Sequence, residues 1–206
     1  MRHSFSFPTH IRDAVRAHVR RAIDRIDPKR FHQEDPYTAA LLISLDGVAY
    51  EGEDGFVGFK GTIVNSKGTN AAEHWAGADF AITADIRKGD FHVTKAILAQ
   101  AKRGGLDGLS TAERGRLVGQ IREMRRLTRS PKVLLIREID GRREPEVASG
   151  VRISEELATR PMGLPDYFVR RVLTTLDGDT RPEFVEAVQE SSLARLRVLA
   201  NVPRSQ

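Results

Sequence analysis

Between Phe80 and Arg103 the chain carries a pattern that commits it to a β-sheet. Phe80, Ile82, Ala84 and Ile86 fall on one side of a period-two repeat, and Ala81, Thr83 and Asp85 on the other. Lys88-Gly89-Asp90 reads as a turn, and residues 90–102 (DFHVTKAILAQAK) as the strand that returns from it. After the Gly104-Gly105 break, Ser110-Thr111-Ala112-Glu113 has the form of a capping box, with Ser at the N-cap and Glu three residues on. It opens a helix predicted to reach about Arg129, with Leu117, Ile121, Met124 and Thr128 on one face. Pro131 then leads into residues 132–137 (KVLLIR), short, apolar and strand-like. With the β-rich stretch 56–65 (FVGFKGTIVN), the order is strand, strand, strand, helix, strand. That order predicts an α/β fold with a mixed sheet flanked by helices.

Helical additions are expected at both ends. Ile11, Val15, Val19, Ala22 and Ile26 recur at helical spacing between Pro8 and Pro28, and residues 37–45 form a second short helix stopped by Asp46-Gly47. From Gly150 the chain reads as mostly helical. Residues 165–176 make one helix, and Thr180-Arg181-Pro182-Glu183, a second capping box, opens the last, predicted to reach about Ala200. The expected organisation is a single domain over 1–206, with its core at 37–137 and a helical C-terminal extension at 150–206.

A chain of 206 residues buries roughly two-thirds of its surface without cross-links. It contains no Cys, which excludes disulfides, thiolate metal sites and a Cys nucleophile. No apolar run approaches the roughly 20 residues of a membrane span, and Met1-Arg2-His3-Ser4-Phe5 lacks the apolar stretch of a signal peptide. A soluble cytoplasmic protein with no membrane partner is expected. The net charge of +5 comes with 26 Arg and 7 Lys. Arginine suits bidentate contacts to phosphate, so a polyanionic partner is permitted, although the codon bias of a GC-rich genome accounts for the same excess.

The chemistry concentrates in residues 73–103. In the returning strand Leu98, Gln100 and Lys102 share one side, and Ile97, Ala99 and Ala101 the other. Two polar residues at the end of an apolar strand are costly to bury unless they meet partners. If the strands pair antiparallel through the turn at 88–90, Asp79 lies opposite Gln100 and Lys102. Glu73 could reach the same place, as could Glu51 or Glu53. A carboxylate, an amide oxygen and an ammonium converging at a sheet edge can hold Mg²⁺, which wants oxygen ligands and keeps several waters. Asp79 would coordinate directly, Gln100 through its carbonyl oxygen and Ala101 through its main-chain carbonyl. Lys102 would lie beside a metal-bound water and stabilise charge developing on phosphate oxygens.

The run GAD, then a turn, then an apolar strand ending ILAQAKR, then a helix and a strand, resembles the PD-(D/E)XK nuclease superfamily. It looks most like the QxK branch found in Mrr-type restriction enzymes and prokaryotic defence nucleases. Asp79 matches the first acidic position, Gln100 the D/E/Q position and Lys102 the lysine; Glu73 is nominated as the upstream glutamate that many such sites contain. The chain departs from the pattern in having GAD for PD and Gln for the usual acid. The resemblance covers residues 37–137. It implies a restriction-endonuclease-like core, a Mg²⁺ or Mn²⁺ cofactor and hydrolysis of nucleic acid, most readily DNA. It also implies a role in prokaryotic defence, as a homo-oligomer or with a partner protein of a defence complex.

Arg103, Arg114 and Arg122 are the candidate nucleic-acid contacts. Ser110 is better explained as an N-cap than as a nucleophile, and nothing places His74 and His92 at metal-ligand spacing. Two other classes stay open. A catalytically inactive nucleic-acid-binding or assembly module would keep the fold, with Lys102 and Asp79 as a structural ion pair. A helical adaptor would act through the C-terminal half.

Overall fold

Helical spacing at the N-terminus becomes α1 (Thr9–Asp24), and α2 (Glu34–Ser44) follows it. Two strands come next, β1 (Gly47–Gly52) and β2 (Gly55–Thr62), then the hairpin of β3 (Phe80–Lys88) and β4 (Phe91–Arg103). Beyond the hairpin lie α3 (Thr111–Leu127), β5 (Lys132–Ile139), β6 (Arg142–Ser149) and the short α4 (Gly150–Ser154). The chain closes with β7 (Met162–Gly163), α5 (Leu164–Tyr167) running into a π turn (Phe168–Val172), α6 (Pro182–Glu190) and β8 (Ala194–Val202). This computed structural model describes residues 6–27, 31, 33–63, 77–139, 142–174 and 176–203.

All eight strands join one mixed sheet in the order β1-β2-β8-β3-β4-β5-β6-β7. The predicted hairpin is present, with Phe80 opposite Ala99 and Lys88 opposite Phe91. Helix α3 carries the chain from β4 to β5, and these two strands run parallel, as a helical crossover permits. The α/β class and the helix-flanked mixed sheet expected from the sequence are therefore what the chain adopts.

The C-terminal third corrects the prediction of a helical extension. The last helix does not reach Ala200; it stops at Glu190, and residues 194–202 are a strand inside the sheet. That strand, β8, lies between β2 and β3, antiparallel to the first and parallel to the second. Its sequence carried the signal: Leu196, Val198, Ala200 and Val202 are buried in strict alternation after the break at Ser191-Ser192. The predicted core at 37–137 therefore cannot form its sheet without the chain's far end. Nor is Thr180 the N-cap of α6. Arg181 holds that position, and the Asp179 carboxylate accepts its N–H. Strands β1, β6 and the two-residue β7 are not anticipated by the sequence reading either.

Each sheet face has its own apolar layer. Ile82, Ile97, Leu134 and Leu196 pack with Ile11 and Val15 of α1, Leu41 and Leu42 of α2, and Phe168 and Val172 of the π turn. On the opposite face Ala81, Leu98, Val133 and Leu135 meet Leu117, Ile121 and Met124 of α3, with Phe184 and Val185 of α6. Each such buried Val, Leu, Ile, Phe or Met side chain contributes about 1.5–3 kcal/mol relative to an exposed one.

One buried charge stands out in this framework. Lys95 on β4 is 1% exposed, and its Nζ donates to the main-chain carbonyls of Asp177 at 2.7 Å and Arg171 at 3.4 Å. The neighbouring Lys132 pairs with the Asp177 carboxylate at 3.0 Å. Burial, above all, pushes the Lys95 ammonium down to about 7; the Asp177 charge opposes this and the Lys132 charge adds to it. The folded-state value thus lies below the unfolded value of about 10.4. Between those two pH values the unfolded chain binds the proton more tightly, so stability should rise with pH, by up to about 1.4 kcal/mol per unit. Below that window both states are charged and the burial penalty is felt in full. Urea melts between pH 7 and 10 should show the native protein gaining on Lys95→Met. A constant difference between the two would show that Lys95 does not titrate in this window.

Candidate active site

The β3–β4 register ends with Phe80 opposite Ala99, and the Asp79 N–H donates to that same Ala99 carbonyl at 3.0 Å. Asp79 thus stands just before the first paired residue of β3, beside Gln100. The side chains meet: Gln100 Nε2 donates to Asp79 Oδ2 at 2.5 Å, and the Ala101 N–H donates to the same oxygen at 2.7 Å. Gln100 Nε2 also lies 3.3 Å from the Ala101 carbonyl oxygen. Gln100 is 2% exposed, and its Oε1 is buried without a hydrogen-bond partner. A buried acceptor left so is uncommon and costs about 1–3 kcal/mol.

The GAD motif has a backbone explanation. Gly77 has φ +64°, and a Cβ there would lie 2.5 Å from the Gln120 carbonyl oxygen of α3. Only glycine combines the left-handed conformation with this close approach. Gly77 thus seats the start of β3 against α3 and aims Asp79 along the hairpin. Gly77→Ala should lower stability by at least about 1–2 kcal/mol, from the conformation alone. A urea midpoint equal to that of the native protein would refute this role.

Lys102, two residues past Gln100 on β4, has a partner that the sequence reading missed. Its Nζ lies 3.0 Å from Glu34 Oε2, and Glu34 Oε1 accepts the Arg103 N–H at 2.9 Å. Glu34 opens α2, where a carboxylate is favoured by the unpaired N–H groups of the first turn. Tyr37, Thr38, Leu41 and Leu42 bury one face of that helix. Glu34 stands one turn before Thr38, so extending the apolar stripe backwards would have pointed to it. The predicted helix began at Tyr37, past Pro36, although proline is well tolerated in a first helical turn. The structural ion pair imagined for Lys102 was with Asp79; the carboxylate holding its ammonium is that of Glu34.

The N-terminus of α3 closes another side. Ser110 and Glu113 form the predicted capping box, and hydrogen bonds from the Ser110 hydroxyl and N–H hold the Glu113 carboxyl below its ordinary value. The Lys102 charge lowers it slightly further. Arg114 is exposed and donates to the Leu106 carbonyl at 2.8 Å; Arg103 and Arg122 are exposed too.

Other nominated residues fare differently. Glu73, with His74 and Trp75, lies outside the described residues. Glu51 on β1 and the adjacent Glu53 belong to the sheet's edge, four strands from β4 or about 19 Å at the usual strand spacing, so they are not candidates. His92 lies far along the hairpin, bonded to Asp85 at 3.0 Å. Among the described residues no group of three or more His, Asp or Glu is placed to hold a metal ion.

The donor set nevertheless suits a hard cation: a carboxylate, a main-chain carbonyl and a side-chain amide whose oxygen lacks a partner. Compared with protein-family models, curated proteins and solved structures, the chain finds no match.

Proposed function

We propose that the chain is a metal-dependent nuclease of the PD-(D/E)XK type, with a restriction-endonuclease-like core, that hydrolyses phosphodiester bonds of nucleic acid, DNA foremost. The observation that carries this reading is the contact of Asp79 with Gln100 at one end of the β3–β4 hairpin, two residues before Lys102 on β4. The order hairpin, α3, parallel β5 supports it as well.

Asp79, the Gln100 carbonyl and the Ala101 carbonyl are the oxygens that would hold Mg²⁺ or Mn²⁺. Such an ion, when bound, neutralises phosphate charge and lowers the pKa of a water. Lys102 supplies a fixed positive charge for the phosphate oxygens as negative charge develops on them. Glu34 is a positioning residue: its two oxygens tie the Lys102 ammonium and the Arg103 backbone to the start of α2. Arg103, Arg114 and Arg122, exposed on β4 and α3, provide cationic contacts to a nucleic-acid backbone. Incubation of the purified protein with plasmid DNA and Mg²⁺ or Mn²⁺ should nick or degrade it. Intact DNA and RNA with every divalent ion tried would defeat the proposal. A role in prokaryotic defence, alone as an oligomer or with a partner protein, belongs to the same reading.

A second reading has its own support. Asp79 and Lys102 both already have partners within the protein, as in a nucleic-acid-binding or assembly module that has lost catalysis. Calorimetry separates the two. A nuclease site binds Mn²⁺ with an affinity that falls in Asp79→Asn; an inactive module shows no such binding.

A further inference from the structure

The Gln100 side chain is turned the wrong way for a metal ligand, and the manner in which it is turned carries an inference. Its amide nitrogen, not its oxygen, faces Asp79 Oδ2 and the Ala101 carbonyl. A donor set between a carboxylate oxygen and a carbonyl oxygen occupies the place, and does the electrostatic work, of a cation. Its oxygen is meanwhile buried with no partner. A half-turn about the Cγ–Cδ bond, a soft two-fold torsion, exchanges the two atoms. Without a cation that turn would press two acceptors together. With one, Asp79, Gln100 and Ala101 would present three oxygens to it. The Ala101 N–H holds the Asp79 carboxylate at 2.7 Å and does not depend on the amide, so the seat need not be rebuilt.

We propose that the Gln100 amide is a rotary gate: its NH₂ group fills the cation seat until a divalent ion displaces it and the side chain turns its oxygen inward. The gate rests on the metal-dependent reading given above. It explains the chemistry of glutamine at a position where an acid would bind metal more strongly. Glutamate there would set two carboxylates against each other, whereas the neutral amide bonds to both Asp79 and the Ala101 carbonyl. The cost is affinity, because the ion binds only the rotated fraction of the population.

The test uses the uniformly ¹⁵N-labelled full chain, titrated with Mg²⁺ and observed at the Gln100 side-chain NH₂ resonances, which are identified by their loss in Gln100→Glu. The gate predicts that these resonances move as the ion binds, losing the downfield position of a proton donated to a carboxylate. It also predicts that Gln100→Glu, lacking the competing donor, binds Mn²⁺ roughly tenfold or more tightly by calorimetry. If Mg²⁺ binds, and Asp79→Asn abolishes that binding, while the Gln100 NH₂ signals stay fixed, the gate is wrong and the seat stands. If the native protein binds neither ion, the metal-dependent reading fails and takes the gate with it.

Discussion

Lys102→Ala is expected to reduce Mg²⁺-dependent DNA cleavage to background, a loss of roughly a hundredfold or more, while leaving the protein folded. The size follows from the role: a cation placed against charge that develops in the transition state is worth about 10²–10³ in rate. The intact fold follows from the surroundings. Lys102 lies at the end of β4, with its side chain 15% exposed and that of Glu34 31% exposed. Ion pairs so near the surface contribute about 1 kcal/mol or less. Glu34 also keeps its bond from the Arg103 N–H when the ammonium is gone. Cleavage by the variant at the native rate, with the same melting temperature, would remove Lys102 from the chemistry. Glu34→Gln makes a useful companion. A positioning role predicts a fall in kcat with little change in KM, partly restored by Glu34→Asp.

Truncation after Glu190 should abolish folding altogether. This is the largest structural effect we expect, because it removes a strand from the interior of the sheet. β8 pairs with β2 from Thr62 to Phe56 and with β3 from Phe80 to Lys88, so its loss exposes two inner strand edges at once. Leu193, Leu196, Val198, Ala200 and Val202 leave the core with it. A milder version is Leu196→Ala, expected to cost about 2–5 kcal/mol for a residue that is 1% exposed. Circular dichroism and urea unfolding decide both. A cooperative transition in residues 1–190 would show that the terminal strand is dispensable, as a helical extension would have been.

Legibility in the sequence followed the range of the interaction. The hairpin and the pairing of Asp79 with Gln100 could be read because alternation and a tight turn set strand register locally. The α3 capping box could be read for a similar reason: its hydrogen bonds close within four residues. β8 was missed although its alternation was present, because the helix-forming run before it was extended too far. Glu34 was missed because its distance from Lys102, 68 residues along the chain, hides any pairing.

By itself, then, the amino-acid order determined the α/β class, the two-strand unit that presents Asp79 and Gln100 together, and the helix that follows. These depend on side-chain periods and turns whose energetics are complete within a few residues. Only the tertiary structure decided that the last strand enters the middle of the sheet, that Glu34 rather than Glu51 or Glu53 reaches Lys102, and which end of the Gln100 amide faces the carboxylate. Those outcomes depend on which surfaces are buried against one another, and the cost of an unpaired strand edge or a buried polar atom exists only once the whole chain has closed around it.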